Sequence, residues 1–430
     1  MHSAGASVPA FAQQMRHNPW LDLLRTVAIF LVLLRHGSRS AGNALSEGFV
    51  ANLFKNGWVG VDLFFVLSGY LIATGLIRRS SVTGRMFPKG YFQDRILRIV
   101  PAYYAVLIVC AVGVFPGTAE ASAQSLLAHL LFLQDYTGSN INVVLWSLGV
   151  EEKFYIIAPV VVVLMRRQSS MAAFVACCVA LLLFSPLCRG LTFEAIGGGI
   201  DYGRFFEDMR SPFHMSLEGF VIGIAVAIGR DRGLTLPKGW ALAGLSAGAL
   251  VLVMWLGSHD FMGAITRVDA WLVPTVLALL FGAMVFCAAC LGGCALRCEP
   301  FFRVNARLSY SLYLVHLPLL PLAYGLGAPP VSHGASPLEI PCGASLDRGD
   351  GLGRRAPHAS GGYRDHQFRV CHRGPAVRCQ RHGLCDLQPA VCVPFAAQAF
   401  ECCGGMGLVA LALCHADISS LASCQRCTCP

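Results

Sequence analysis

From residue 19 to 326, apolar runs of roughly 20 residues alternate with short clusters of charged and turn-forming residues, and roughly 20 is the number a helix needs to cross a bilayer. Such runs fall at 21–40, 58–77, 97–115, 143–164, 171–188, 213–229, 239–257, 270–292 and 308–326. The pattern predicts an all-α, polytopic transmembrane helix bundle of nine spans. Composition points the same way. Hydrophobic residues make up 55% and charged residues 13% of the chain, and mean hydropathy is +0.59. Soluble domains carry about 25% charged residues, so a set of ordinary soluble domains is excluded. The net charge of +9 sits at the ends of the runs. It therefore reads as a topology signal, and no nucleic-acid partner is expected.

Lysine and arginine clusters are expected on the cytoplasmic side of a membrane. Arg16 precedes the first run. Arg78, Arg79, Arg85, Lys89, Arg95 and Arg98 lie between the second and the third run or at its start. Arg166 and Arg167 follow the fourth, Arg230 and Arg232 the sixth, and Arg297, Arg303 and Arg307 the eighth. All of these fall on one side if the N-terminal segment, residues 1–18, is cytoplasmic. A cleaved signal peptide over residues 1–44 is the competing reading, and Arg25, Arg35 and His36 argue against it by interrupting the apolar stretch. The expected location is a membrane crossed many times, with lipids as the surrounding partner.

The membrane region is expected to end at residue 328. Residues 329–430 are rich in Gly, Pro, Arg, His and Cys, without helical or alternating period, and hold eleven of the 19 cysteines. The favoured reading is a frameshifted or otherwise aberrant, disordered tail. A zinc knuckle at Cys424, Cys427 and Cys429, or a disulfide framework, is the alternative.

Ionisable groups inside membrane spans are costly and mark function. In LDLLRTVAIFLVLLRH, Arg25 and His36 stand eleven residues apart, nearly on one helix face and roughly 16 Å apart along the axis. Snorkelling of Arg25 and a purely structural His36 are the bland readings. The second run, GWVGVDLFFVLSGYLI, puts Asp62 at a boundary, where it needs a partner; Gly60, Ser68 and Gly69 permit close helix packing. In RILRIVPAYY, Arg95 and Arg98 share a helix face and suit a phosphate-bearing ligand, or serve as anchors; Asp94 could pair with either. LWSLGVEEKFY carries Trp146, Ser147, Glu151 and Glu152. Adjacent glutamates point about 100° apart, so one at most faces a cavity well; it could orient a histidine or act as acid or base, with Lys153 neutralising the other. The ninth run holds Ser309, Tyr310, Tyr313 and His316, with polar helix glue as the alternative role. No metal site or tightly bound cofactor is implied before residue 328.

Taken together and in this order, these blocks and ARLSYSLYLVHLPLL resemble the membrane acyltransferase 3 family of bacterial O-acyltransferases acting on surface polysaccharides and related glycans. The likeness spans residues 19–326. The resemblance implies that Arg25 and His36 form the R-x10-H pair of acyl transfer, that Arg95 and Arg98 handle the acyl donor, and that Glu151 and Glu152 belong to the catalytic set. Asp62, Ser68, Trp146, Ser147, Tyr310 and His316 would support them. The donor would be acyl-CoA, simplest as acetyl-CoA, and the acceptor a glycan or glycolipid hydroxyl. His36 would act as general base or carry the acyl group transiently. Thr26 stands where the family commonly has glycine. A transporter or flippase for a lipid-linked glycan, and an inactive truncated membrane protein, are the competing classes.

Overall fold

The computed structural model describes residues 17–40, 47–83, 90–113, 121–138 and 141–327. Residues 1–16, the basic positions Arg85 and Lys89, and everything from 328 on, including the cysteine-rich tail, lie outside the described residues.

The apolar runs fold as long helices, named here α1 (Pro19–Ser40), α2 (Gly60–Thr83), α3 (Tyr91–Ala111), α4 (Trp146–Arg166), α5 (Met171–Ile196), α6 (Leu217–Asp231), α7 (Lys238–Ser258), α8 (Arg267–Cys290) and α9 (Glu299–Gly327). Each overlaps one expected run. No strand occurs among the described residues, only an isolated antiparallel bridge between Ile200 and Ile265. Among the described residues, four stretches are long and apolar enough to cross a membrane: Phe49–Ser81, α5, α7 and α8. Val175, Val179, Leu183, Leu187 and Leu191 make an exposed apolar stripe along α5. A stripe of that length calls for an apolar medium outside the helix.

Several boundaries differ from the periodicity, each for a local reason. α3 starts six residues early because Gly90, at φ 87°, turns the chain directly into Tyr91. α9 starts nine residues early, so the basic residues Arg303 and Arg307 lie on the helix and not before it. α5 continues to Ile196, eight residues past the expected end. The continuation carries Arg189, the residue that follows the expected run. The guanidinium is buried, paired with Glu218 at 2.6 Å, and bonded to the carbonyls of Ala270 at 3.0 Å and Met215 at 2.5 Å. The expected loop 116–142 contains a short helix, Ala123–Leu130, capped by Ser122.

α6 packs most extensively on α2, and α9 on α1. Glycines set the closeness of the α2–α6 pair. A Cβ at Gly69 would lie 2.3 Å from the Phe220 carbonyl oxygen, and one at Gly223 would lie 2.2 Å from that of Val66. Small residues that let helix backbones approach are the expected device where no water is excluded between helices.

Candidate active site

Five helices, α1, α2, α3, α4 and α9, enclose a cavity of about 290 Å³. Arg25 enters from α1, Ser68 from α2, Arg95 and Arg98 from α3, Ser147 and Glu151 from α4, and Tyr310 and Tyr313 from α9. Residues scattered over almost 290 positions of sequence therefore share one space. Arg95 and Arg98 reach it together because three residues on a helix return to the same face. Among the described residues no carboxylate pairs with either. Arg95 lies over the Tyr155 ring, 5.6 Å from its centroid, and Arg98 is exposed. Arg25 has only a distant carboxylate, Asp22 at 3.7 Å. Three guanidiniums thus face one carboxylate in the lining.

That carboxylate is Glu151, which accepts a hydrogen bond from the Ser68 hydroxyl. Glu152 does not line the cavity, and its Oε1 is buried without a partner. The 100° offset between neighbours on α4 separates the two. Lys153 does not neutralise Glu152. It reaches back to Asp135, at 2.6 Å, and to the Phe132 carbonyl. Burial pushes the Asp135 carboxyl up, against the pull of Lys153; Asp135 also accepts from the Phe213 N–H at 3.2 Å. Lys153 therefore clamps the 121–138 loop to α4. Asp94 pairs with Arg79, not with Arg95 or Arg98.

Tyr313 lines the cavity. Its hydroxyl shares a 2.5 Å hydrogen bond with Ser147 Oγ and donates to the Val144 carbonyl at 3.0 Å. The Tyr313 ring centroid lies 5.8 Å from that of His316, which is not among the lining residues, nor is His36. His316 Nε2 is 3.1 Å from His36 Nδ1. His36 is therefore partnered by a second histidine, and the expected Glu–His contact is not formed: Glu151 is engaged by Ser68. The spacing argument placed Arg25 and His36 on one face of one helix. It did not show that α9 would supply the partner for His36.

Asp62 is also outside the cavity. It pairs with Arg210 through both carboxylate oxygens, at 3.0 and 3.1 Å. Burial alone would pull the Arg210 guanidinium down, and the Asp62 carboxylate outweighs it, holding Arg210 above its ordinary value. Trp146 is buried, edge-on to Phe65 with centroids 6.0 Å apart, and supports the wall without touching the cavity. Tyr310 lines the cavity and ties α9 to α3 through the Ile99 carbonyl at 2.8 Å. The sequence reading missed Arg210, Arg189 and Glu218. Arg189 and Arg210 lie between the fifth and sixth expected runs and Glu218 lies in the sixth; the cost of burying unpaired charge was the available signal, since Asp62 needed a partner.

These features define an α-helical membrane protein whose interior gathers arginines and a glutamate into one cavity beside a histidine pair. A family model described as an acyltransferase domain matches residues 18–345, and the chain belongs to the acyltransferase 3 family. The match continues past residue 328, where the sequence pattern ended the membrane region. The chain is similar to the O-acetyltransferase OatA of Staphylococcus aureus (strain COL), with 23% identity over 331 residues, 71% of this chain and 51% of that protein. It is also similar to another protein of that strain named as a candidate O-acetyltransferase, with 29% identity over 169 residues, 34% of this chain and 25% of that protein. The chain thus spans between a quarter and half of the length of these relatives. No solved structure matches.

Proposed function

We propose that the protein is a multi-pass membrane O-acyltransferase that moves an acyl group, most simply acetyl, from acyl-CoA to a hydroxyl of a glycan or glycolipid. One observation carries the reading: Arg25, Arg95 and Arg98 line a cavity that also holds Tyr313, and Tyr313 packs near His316, the partner of His36. Arg95 and Arg98, which have no carboxylate ion pair among the described residues, suit phosphate oxygens, which guanidiniums bind through charge-assisted, two-pronged hydrogen bonds. On this reading the CoA phosphates sit at the arginine end, and the pantetheine arm carries the thioester towards Tyr313. The distance between Arg25 and His36 along α1, roughly 16 Å, is the length the arm has to cover.

At the histidine end, His36 takes the proton of the acceptor hydroxyl. The acceptor oxygen bonds to the acyl carbon, the thioester C–S bond breaks, and the CoA sulfur leaves with the proton that His36 gives back. Glu151 balances part of the arginine charge and keeps Ser68 in the wall. Nine spans with a cytoplasmic N-terminus in a bacterial inner membrane would open the arginine end to cytoplasmic acyl-CoA, and the similarity to proteins named as O-acetyltransferases favours O-acyl transfer as the reaction.

The test is thermal stabilisation of the detergent-purified protein by acetyl-CoA. Binding to the native state raises stability by mass action. Acetyl-CoA should stabilise the wild type, and stabilise the Arg95→Ala/Arg98→Ala protein much less. Equal stabilisation of both, or none of either, would remove the donor assignment.

A further inference from the structure

Hydrogen-bond bookkeeping around the histidine pair goes one step further and rests on the catalytic reading just given. His316 is buried, so its ring nitrogens need partners. Its Nδ1 faces two carbonyl oxygens of its own helix, Tyr313 at 2.8 Å and Leu312 at 3.2 Å. Carbonyls only accept, so Nδ1 carries the hydrogen. In a neutral imidazole the other nitrogen is then a bare acceptor, and that nitrogen, Nε2, points at His36 Nδ1, 3.1 Å away. His36 Nδ1 also lies 3.0 Å from the Val32 carbonyl. Both of its neighbours are acceptors, so His36 Nδ1 must be the donor. The elimination leaves His36 Nε2 with a lone pair and no protein partner among the described residues.

The two acceptors are not equivalent. The Val32 carbonyl lies one helical turn before His36, where the backbone N–H of residue 36 already uses it in a regular helix. A bond from the ring to that oxygen is shared and leaves the plane of the imidazole loosely fixed. His316 comes from a different helix, α9, packed along α1. The rings are tilted by 51° with centroids 4.9 Å apart and are not stacked. No carboxylate is hydrogen-bonded to either ring among the described residues.

We propose that His316 is the positioning residue for His36: it holds the ring as the Nδ1–H tautomer and aims the Nε2 lone pair at the acceptor hydroxyl. A histidine here takes the place that a carboxylate fills beside many catalytic histidines. When Nε2 accepts the hydroxyl proton, the positive charge on His36 is shared through Nδ1–H with the His316 lone pair. The same α9 turn serves both halves of the site. The Tyr313 carbonyl fixes the His316 tautomer, and the Tyr313 hydroxyl closes the cavity wall.

The test compares two polar replacements in the full-length protein in membranes. His316→Gln places an amide near the Nε2 position and keeps an acceptor for His36. His316→Asn places its amide near Nδ1, keeps a donor for the α9 carbonyls, and loses the acceptor. Steady-state acyl transfer should show kcat lowered about 10- to 100-fold in His316→Asn, a fraction of the 10²–10⁴ ascribed to a general base. KM for acetyl-CoA should stay within about twofold, and His316→Gln should keep kcat within about threefold of wild type. Equal kcat values in the two variants, or a loss expressed in donor KM, would overturn the positioning role. His36→Ala is the control: if it transfers acyl groups at the wild-type rate, the catalytic reading itself falls, whereas a dead His36→Ala beside a fully active His316→Asn removes only the role of His316.

Discussion

Asp62 and Arg210 meet through both carboxylate oxygens, 3.0 and 3.1 Å from the two guanidinium nitrogens, and the pair is buried. Arg210 also donates to the Trp58 carbonyl at 3.2 Å and lies 4.3 Å from the Trp58 ring centroid. It thereby fastens the start of α2 to the segment that leads into α6. Removing one member leaves the other charged and buried, which costs about 3–5 kcal/mol. Arg210→Met should therefore lower the thermal unfolding temperature in detergent strongly. Asp62→Leu combined with Arg210→Met should recover much of the loss, because apolar replacement of both partners is often near neutral. A single variant as stable as the wild type would contradict the anchoring role.

The two α3 arginines should act on donor binding. Each hydrogen bond to a charged group contributes about 1.5–3 kcal/mol, so Arg95→Ala or Arg98→Ala should raise the acetyl-CoA KM about tenfold or more, with a smaller change in kcat. Lysine at either site should recover only part of the loss, since it lacks the planar fork. Donor titrations of acyl transfer in membranes read this directly. An unchanged KM in both variants would take the phosphates elsewhere.

The neighbouring glutamates should separate in function. Glu151 lines the cavity and accepts from Ser68, whereas Glu152 faces away with an unpartnered oxygen. Glu151→Gln removes the only carboxylate of the lining and should lower kcat about tenfold or more, within the range for groups acting on charge in a site. Glu152→Gln should leave transfer within about twofold, as expected for a group outside the site. Parallel rate measurements on the two variants check the contrast, and equal effects would count against the cavity as the site.

Packing between α2 and α6 gives a test independent of chemistry. A methyl group at Gly223 would come 2.2 Å from the Val66 carbonyl oxygen. Backbone cannot yield as a side-chain tip can, so Gly223→Ala should destabilise by about 1–3 kcal/mol. Gly75→Ala, on α2 where nothing lies within 4 Å of the added atom, should be neutral or mildly stabilising because alanine favours helix. Thermal unfolding of the two variants decides it.

Much of this architecture was legible because bilayer thickness imposes a length on apolar runs. Each expected run met a helix, and several of the polar residues singled out within the runs share one cavity. Arg25, Arg95, Arg98, Ser68, Ser147, Glu151 and Tyr310 do line one cavity. Helix-face geometry foresaw that only one of Glu151 and Glu152 would. What spacing could not supply was contact between helices. The partners of Asp62 and His36 lie 148 and 280 positions away. Arg189 was hidden for a related reason. Its charge ended the apolar run in the sequence, while in the fold Glu218 and three carbonyl groups neutralise or satisfy it, and α5 continues through it.

The central claim is that His36, beside the arginine-lined cavity, carries acyl transfer. Membrane vesicles holding the wild type or His36→Ala can be given radiolabelled acetyl-CoA, and label followed into the glycan and glycolipid fraction. The account predicts that His36→Ala still binds acetyl-CoA, judged by thermal stabilisation, while label transfer falls about 100-fold or more. Transfer at the wild-type rate in His36→Ala would contradict it.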